Sequence, residues 1–269
     1  MASKFHDLKI RTISAFCIVA LLGVFLLGGE KVKMPFFMAI AVLLICEWRV
    51  LCSGTSWHRG GGIVAVAAVL LGVLTFFVNP CLLIWGGVVV LIVVATTLDY
   101  VFLRSKVKWL CAGDSIIFIF IICFIWISGM TAPYDHVLEW ILIIAPSTDV
   151  GAYFVGRIIG GKRLAPRISP NKTWSGFFGG ICASMVAAVL FCVIFVPEVF
   201  FGMTLLAAIL TSVVVQCGDL AESHIKRALG VSDSGTMIPG HGGVIDRLDG
   251  IIAVSIVIAI LFFTYGMIW

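Results

Sequence analysis

Charge is what this sequence has least of. Asp, Glu, Lys and Arg make up 12% of its 269 residues, while 61% are hydrophobic, and the mean hydropathy is +1.17. A soluble domain carries about a quarter charged residues. That deficit excludes a water-soluble fold, because no interior is large enough to hide so much apolar surface; the solvent must be lipid. Paired cysteine motifs are lacking too. None of the nine cysteines stands in a CxxC, and most lie within apolar runs, so they read as small core hydrophobes rather than a disulfide framework or zinc site. No internal repeat, low-complexity stretch, soluble appendage or nucleic-acid partner is indicated. No Ser–His–Asp set is apparent.

What is present is a series of apolar runs with short connections. A hydrocarbon core about 30 Å thick needs roughly 20 apolar residues per helix. Nine candidate spans follow: 12–28, 34–51, 62–79, 81–98, 114–131, 138–158, 175–197, 199–217 and 250–268. No small-residue cleavage site follows the first, which reads as a retained helix. The expected fold is an all-α polytopic membrane protein, one integral membrane domain over 1–269. Its first part, 1–132, reads as helical scaffold and 133–269 as the catalytic half. With the N-terminus in the cytoplasm, 16 of the 18 basic residues fall on cytoplasmic segments and only Lys31 and Lys33 outside. This positive-inside split places the C-terminus, Trp269, in the periplasm. Glu47, Asp99 and Asp114 sit at predicted span ends, where interfacial solvation accounts for them.

Polar residues concentrate in three places, all at the predicted cytoplasmic face. The first is Ser147-Thr148-Asp149-Val150-Gly151-Ala152-Tyr153 with Gly156-Arg157, inside an apolar span. A carboxylate there faces a cavity, a cation or a partner such as Arg157. The second runs from Gly160 to Trp174 as a basic loop with Lys162, Arg163, Arg167 and Lys172, able to surround phosphates or anionic lipid. Gly156 to Arg163 imitates a P-loop but has Arg where the Mg²⁺-holding hydroxyl belongs, and follows a membrane helix rather than a strand.

The third is richest. Residues 216–227, continued as helix, would place Asp219, Glu222, Ser223, Lys226 and Arg227 on one broad face. Pro239 to Gly243 cannot be regular helix. Asp246 and Asp249, three apart, share a face of the helix entering the last span, whose N-terminal N–H groups also favour anions. Carboxylates alternating with cations suit a metal-bound triphosphate: hard oxygens for Mg²⁺, Lys and Arg for phosphate. His241 suits either a phosphate hydrogen bond or a turn.

Ser223-x-x-Lys226-Arg227, Asp233-x-Gly235 and Pro239-Gly240-His241-Gly242-Gly243-x-x-Asp246-Arg247-x-Asp249 resemble the signature of phosphatidate cytidylyltransferases (CDP-diacylglycerol synthases). Asp149-x-Gly151-Ala152-Tyr153-x-x-Gly156-Arg157, Ser169-Pro170-x-Lys172-Thr173-Trp174-x-Gly176 and Gly218-Asp219-x-x-Glu222-Ser223 resemble further motifs of that family. The resemblance covers about residues 145–250; the first half matches only in hydropathy. It implies transfer of CMP from CTP to phosphatidic acid with release of pyrophosphate, in the inner membrane, by a multi-helix and commonly dimeric enzyme. It implies Asp219, Asp246 and Asp249 as metal ligands, for one or two Mg²⁺ with a second, monovalent ion left open, and Lys226 and Arg227 as phosphate binders. Asp149, Lys172, Ser223, His241 and Arg247 are the expected substrate contacts. Position 232 departs from the pattern: Ser stands where the family carries Lys. A transporter, or an enzyme acting on another lipid phosphate, including a lipid kinase, is the rival reading.

Overall fold

The computed structural model describes residues 20, 22–28, 30–54, 62–67, 70–71, 82–103, 107–130, 134, 136–196, 201–235, 237–238 and 242–265. Its elements are α1 (Glu30–Ser53), α2 (Leu82–Leu103), α3 (Val107–Ser128), α4 (Val137–Ile159), β1 (Arg163–Ala165), β2 (Ser169–Thr173), α5 (Trp174–Phe195), α6 (Phe201–Leu229) and α7 (Ile245–Tyr265). Among the described residues, six helical segments are long and apolar enough to cross a membrane: Pro35–Ser53, Lys108–Ser128, Val137–Ile159, Trp174–Phe195, Phe201–Leu229 and Ile245–Thr264. The protein is accordingly a multi-pass, predominantly helical membrane protein. The described apolar part of α2, Val90–Phe102, is shorter. Most of the expected first span and much of 62–79 lie outside the described residues.

The chain forms two compact units. One holds residues 1–125 together with 233–247; the other holds 126–232 together with 248–269. Residues 233–247, the segment before α7 and its first turn, therefore group with the first unit.

In the first unit, α1 and α3 meet through aromatic rings. Phe37 and Phe124 stand edge to face at 5.4 Å, and Phe120 stacks on Phe124 at 5.2 Å. Gly113 leaves room for the Trp48 indole, whose Nε1 donates to the Trp109 carbonyl at 3.0 Å. The polar residues of this unit overturn the expectation of interfacial solvation. Arg49, Asp99 and Asp114 are 2%, 0% and 6% exposed. The Arg49 guanidinium forks onto Asp99 (Nη1 to Oδ1 3.0 Å, Nη2 to Oδ2 2.9 Å) and also pairs with Asp114. Asp99 and Asp114 lie 50 and 65 positions from Arg49 in sequence, and their pairing with it offsets the cost of taking these charges out of water. Arg49 is thus an interior ion-pair residue, not a loop charge. Glu47 is 1% exposed.

In the second unit, α4 and α5 pack through small residues, as membrane helices do when backbones must approach closely. A Cβ at Gly176 would come to 2.8 Å from the Ala152 carbonyl, and one at Gly180 to 3.0 Å from that of Thr148. Gly151 and Gly156 line the same seam from α4. Several motif glycines are therefore packing positions. Side chains tie in α6: Gln216 Nε2 donates to the Phe177 carbonyl at 3.3 Å, and Trp140 Nε1 to Thr211 Oγ1 at 3.2 Å.

The basic stretch after α4 is a β-hairpin rather than an irregular loop. Arg163 pairs with Thr173 and Ala165 with Ser169, antiparallel. Gly160 and Gly161 turn the chain into it at φ +65° and +106°, a region costly for side-chain-bearing residues. Thr173 then caps α5, its Oγ1 accepting the Gly176 N–H at 3.1 Å.

Candidate active site

Helix α6 has 29 residues. At 1.5 Å per residue that is about 44 Å, well beyond a hydrocarbon core of about 30 Å. Its apolar part ends near Val215, and the surplus carries the polar face expected from the sequence as continuous helix. Gly218 allows α7 to come close: a Cβ there would lie 2.9 Å from the Asp249 carbonyl.

This approach brings three carboxylates together. Oxygens of Asp219, Glu222 and Asp249 lie within 4.8 Å of one another, all half-buried. Asp219 and Glu222 stand one turn apart on α6; Asp249 comes from α7. Lys172, on β2, reaches the Asp219 carboxylate. Lys226 Nζ lies 2.8 Å from Glu222 Oε2, one turn further along α6. Asp249 Oδ1 accepts the Gly250 N–H at 2.7 Å. The charge of Asp149 on α4, like those of Asp219 and Glu222, acts on Asp249.

Three carboxylates against two ammonium groups leave excess negative charge in a confined, partly desolvated place. Hard oxygen donors so arranged suit a small divalent cation such as Mg²⁺. Glu222 was not among the ligands expected from the sequence. Its i, i+3 spacing from Asp219 was a usable signal, obscured by Lys226 on the following turn.

The remaining expected site residues are placed as follows. Ser223 is buried on α6. Arg227 Nε donates to the Ile168 carbonyl at 3.3 Å and Nη1 to that of Val231 at 3.0 Å. Its fork ties the end of α6 to the hairpin. Arg157 donates to the Tyr153 hydroxyl and stacks over its ring at 5.8 Å. His241 lies outside the described residues.

Asp246 and Arg247 belong to the first unit. Asp246 Oδ2 accepts the Gly243 N–H at 3.2 Å, and both its oxygens lie 3.3 Å from the Ser234 nitrogen. Glu47 Oε2 accepts the Val244 N–H at 2.6 Å. The donors ahead of α7, expected to favour a ligand anion, thus point at the protein's own carboxylates. Arg247 is exposed.

A protein named phosphatidate cytidylyltransferase in Brucella suis biovar 1 (strain 1330) is 46% identical over 132 residues, 49% of this chain and 47% of its own length. One of the same name in Bacillus subtilis (strain 168) is 46% identical over 112 residues, 42% of each chain. Another in Haemophilus influenzae (strain ATCC 51907 / DSM 11121 / KW20 / Rd) is 39% identical over 140 residues, 49% of this chain and 46% of its own. The chain spans about half the length of the curated relatives it matches. The cytidylyltransferase family matches over residues 9–265, nearly end to end, and the chain belongs to that family.

Proposed function

We propose that the protein transfers CMP from CTP to phosphatidic acid, giving CDP-diacylglycerol and pyrophosphate. The observation that carries this reading is the carboxylate group of Asp219, Glu222 and Asp249, interlocked with Lys172 and Lys226. Family membership and the relatives' printed names support it.

A phosphate-monoester oxygen of phosphatidate attacks the α-phosphorus of CTP. The new P–O bond forms as the bond to the β-phosphate bridge breaks, and pyrophosphate leaves with that electron pair. The monoester's second pKa is about 6, so the nucleophile is already ionised at neutral pH. The protein need supply no strong base; its work is to hold two anions together in line. Asp219, Glu222 and Asp249 would hold one or two Mg²⁺, which neutralise phosphate charge when bound. Lys172 and Lys226 stand beside them to take phosphate oxygens, and Asp149 and Ser223 to orient substrate. Asp246 contributes by shaping its loop, with Arg247 and His241 as further substrate contacts.

The reading further has nine spans, a cytoplasmic N-terminus, a periplasmic C-terminus and a site at the cytoplasmic face of the inner membrane. With Arg49 set aside as an interior residue, 15 of the other 17 basic residues fall on the proposed cytoplasmic segments, which supports it. A homodimer is proposed on family resemblance. The deciding experiment gives the reconstituted protein Mg²⁺, phosphatidic acid and CTP labelled at either the α- or the γ-phosphorus. The α-label is expected in lipid and the γ-label in pyrophosphate. The γ-label in lipid would mark a kinase; no label in lipid would overturn the phosphatidate reading.

A further inference from the structure

Glu47 is a buried polar residue of the first half that the proposed reaction does not use. It lies in the apolar segment Pro35–Ser53 and is 1% exposed. A buried carboxylate survives only if its oxygens are hydrogen-bonded. Both are, and to one loop. Ser234 Oγ donates to Oε1, and the Val244 N–H to Oε2 at 2.6 Å, across 187 and 197 residues of sequence.

The loop is shaped to fit this carboxylate. A Cβ on Gly235 would lie 3.1 Å from Glu47 Cγ and Oε1, and one on Gly243 would overlap the carboxylate. The Ile238 N–H donates to the Gly242 carbonyl at 2.9 Å, with Gly242 at φ +83°. Asp246 takes the Ser234 and Gly243 N–H groups. Two carboxylates therefore gather both ends of the loop, and Glu47 alone comes from a distant helix. Val244, which it holds, immediately precedes α7, the helix that carries Asp246, Arg247 and Asp249.

We propose that Glu47 is a positioning residue for nucleotide transfer: its buried carboxylate holds Ser234 and Val244, and with them the start of α7, in working position. The proposal rests on the cytidylyl-transfer reading for its effect on activity, but not for its effect on the loop. Gln is the informative substitute. Its carbonyl oxygen can accept the Val244 N–H while its NH₂ donates to Ser234 Oγ, so both contacts survive without the charge. Ala keeps neither.

The test compares full-length wild type, Glu47→Ala and Glu47→Gln in lipid nanodiscs. Glu47→Ala is expected to lower kcat/KM for CTP by about tenfold or more, the scale of one lost charge-assisted hydrogen bond. KM for phosphatidic acid is expected to stay within about twofold, and Glu47→Gln to recover to within about threefold of wild type. Hydrogen exchange of peptides covering 234–244, without substrate, is expected to accelerate in Glu47→Ala and to match wild type in Glu47→Gln. That second arm still decides the proposal if the wild type transfers no CMP, so the two readings fail separately. Wild-type kinetics and exchange in Glu47→Ala would overturn the proposal. So would an equal rise in KM for both substrates, with a lowered Tm and no recovery in Glu47→Gln. Should Glu47→Ala not accumulate, Glu47→Asp takes its place: one methylene shorter, it is expected to lose one of the two contacts and fall below Glu47→Gln in both readouts.

Discussion

Asp219 on α6 and Asp249 on α7 bring carboxylate oxygens within 4.8 Å of each other, although 30 residues separate them in sequence. Two half-buried carboxylates so close repel unless a cation lies with them. Asp219→Asn, Asp249→Asn and Glu222→Gln are each expected to lower lipid-linked CMP formation by about a hundredfold and to raise the Mg²⁺ concentration needed for half-maximal rate. Asn and Gln keep shape but remove the anion a hard cation needs. Asp246→Asn is also expected to lose activity, with its Mg²⁺ dependence unchanged, because its carboxylate serves backbone N–H groups. Full activity in any of these variants removes that residue from the site.

Arg49, Asp99 and Asp114 are buried and paired together in the first unit. Removing one partner of a buried ion pair leaves an uncompensated charge, which costs about 3–5 kcal/mol. Arg49→Met, which leaves two buried carboxylates facing each other, is expected to lower the midpoint of thermal unfolding in detergent more than Asp99→Asn. An unchanged melting curve in Arg49→Met would show that the cluster does not stabilise the fold.

Topology is checked by reporter fusions after Lys9, Lys172 and Trp269. The expected readings are cytoplasmic, cytoplasmic and periplasmic. A cytoplasmic signal at Trp269, with the N-terminus confirmed inside, would exclude an odd number of spans.

Ser232 is exposed, three residues past the end of α6. Lys at this position adds positive charge beside a loop proposed to serve a triphosphate. Ser232→Lys is expected to lower the apparent KM for CTP or raise kcat/KM by about tenfold, the scale of one charge-assisted hydrogen bond, with lipid selectivity unchanged. Steady-state kinetics at varied CTP and fixed phosphatidic acid decide it. An unchanged or poorer kcat/KM in a well-expressed variant would put position 232 away from the nucleotide.

Much of this was legible in the chain itself. Hydrophobic runs of about 20 residues have one solution in lipid, the helix, because every backbone polar group must be satisfied within the segment. The polar extension of α6 and the helical start of α7 follow from residue spacing alone. The i, i+4 spacing of Glu222 and Lys226 sets them side by side on that face, where they pair.

Partners distant in sequence were not. Whether a carboxylate at a span end meets water or an arginine depends on which helices pack together, and periodicity within one helix carries no such information. Asp99 and Asp114 looked like interfacial charges until Arg49 was found between them. The hairpin at 163–173 was hidden because Gly, Pro and basic residues read as loop, while its short ladder is settled by pairing and by the Thr173 cap. Asp246 and Asp249 looked equivalent by their spacing. By itself the sequence determined a lipid-embedded helical protein with its polar chemistry concentrated in the second half, since burial of apolar surface and backbone satisfaction are local demands. Only the tertiary structure brought Asp249 beside Asp219 and Glu222, and set Glu47 and Asp246 as acceptors for donors on Ser234, Gly243 and Val244, because hydrogen bonds and charge pairs are made by whatever the packing of helices brings together.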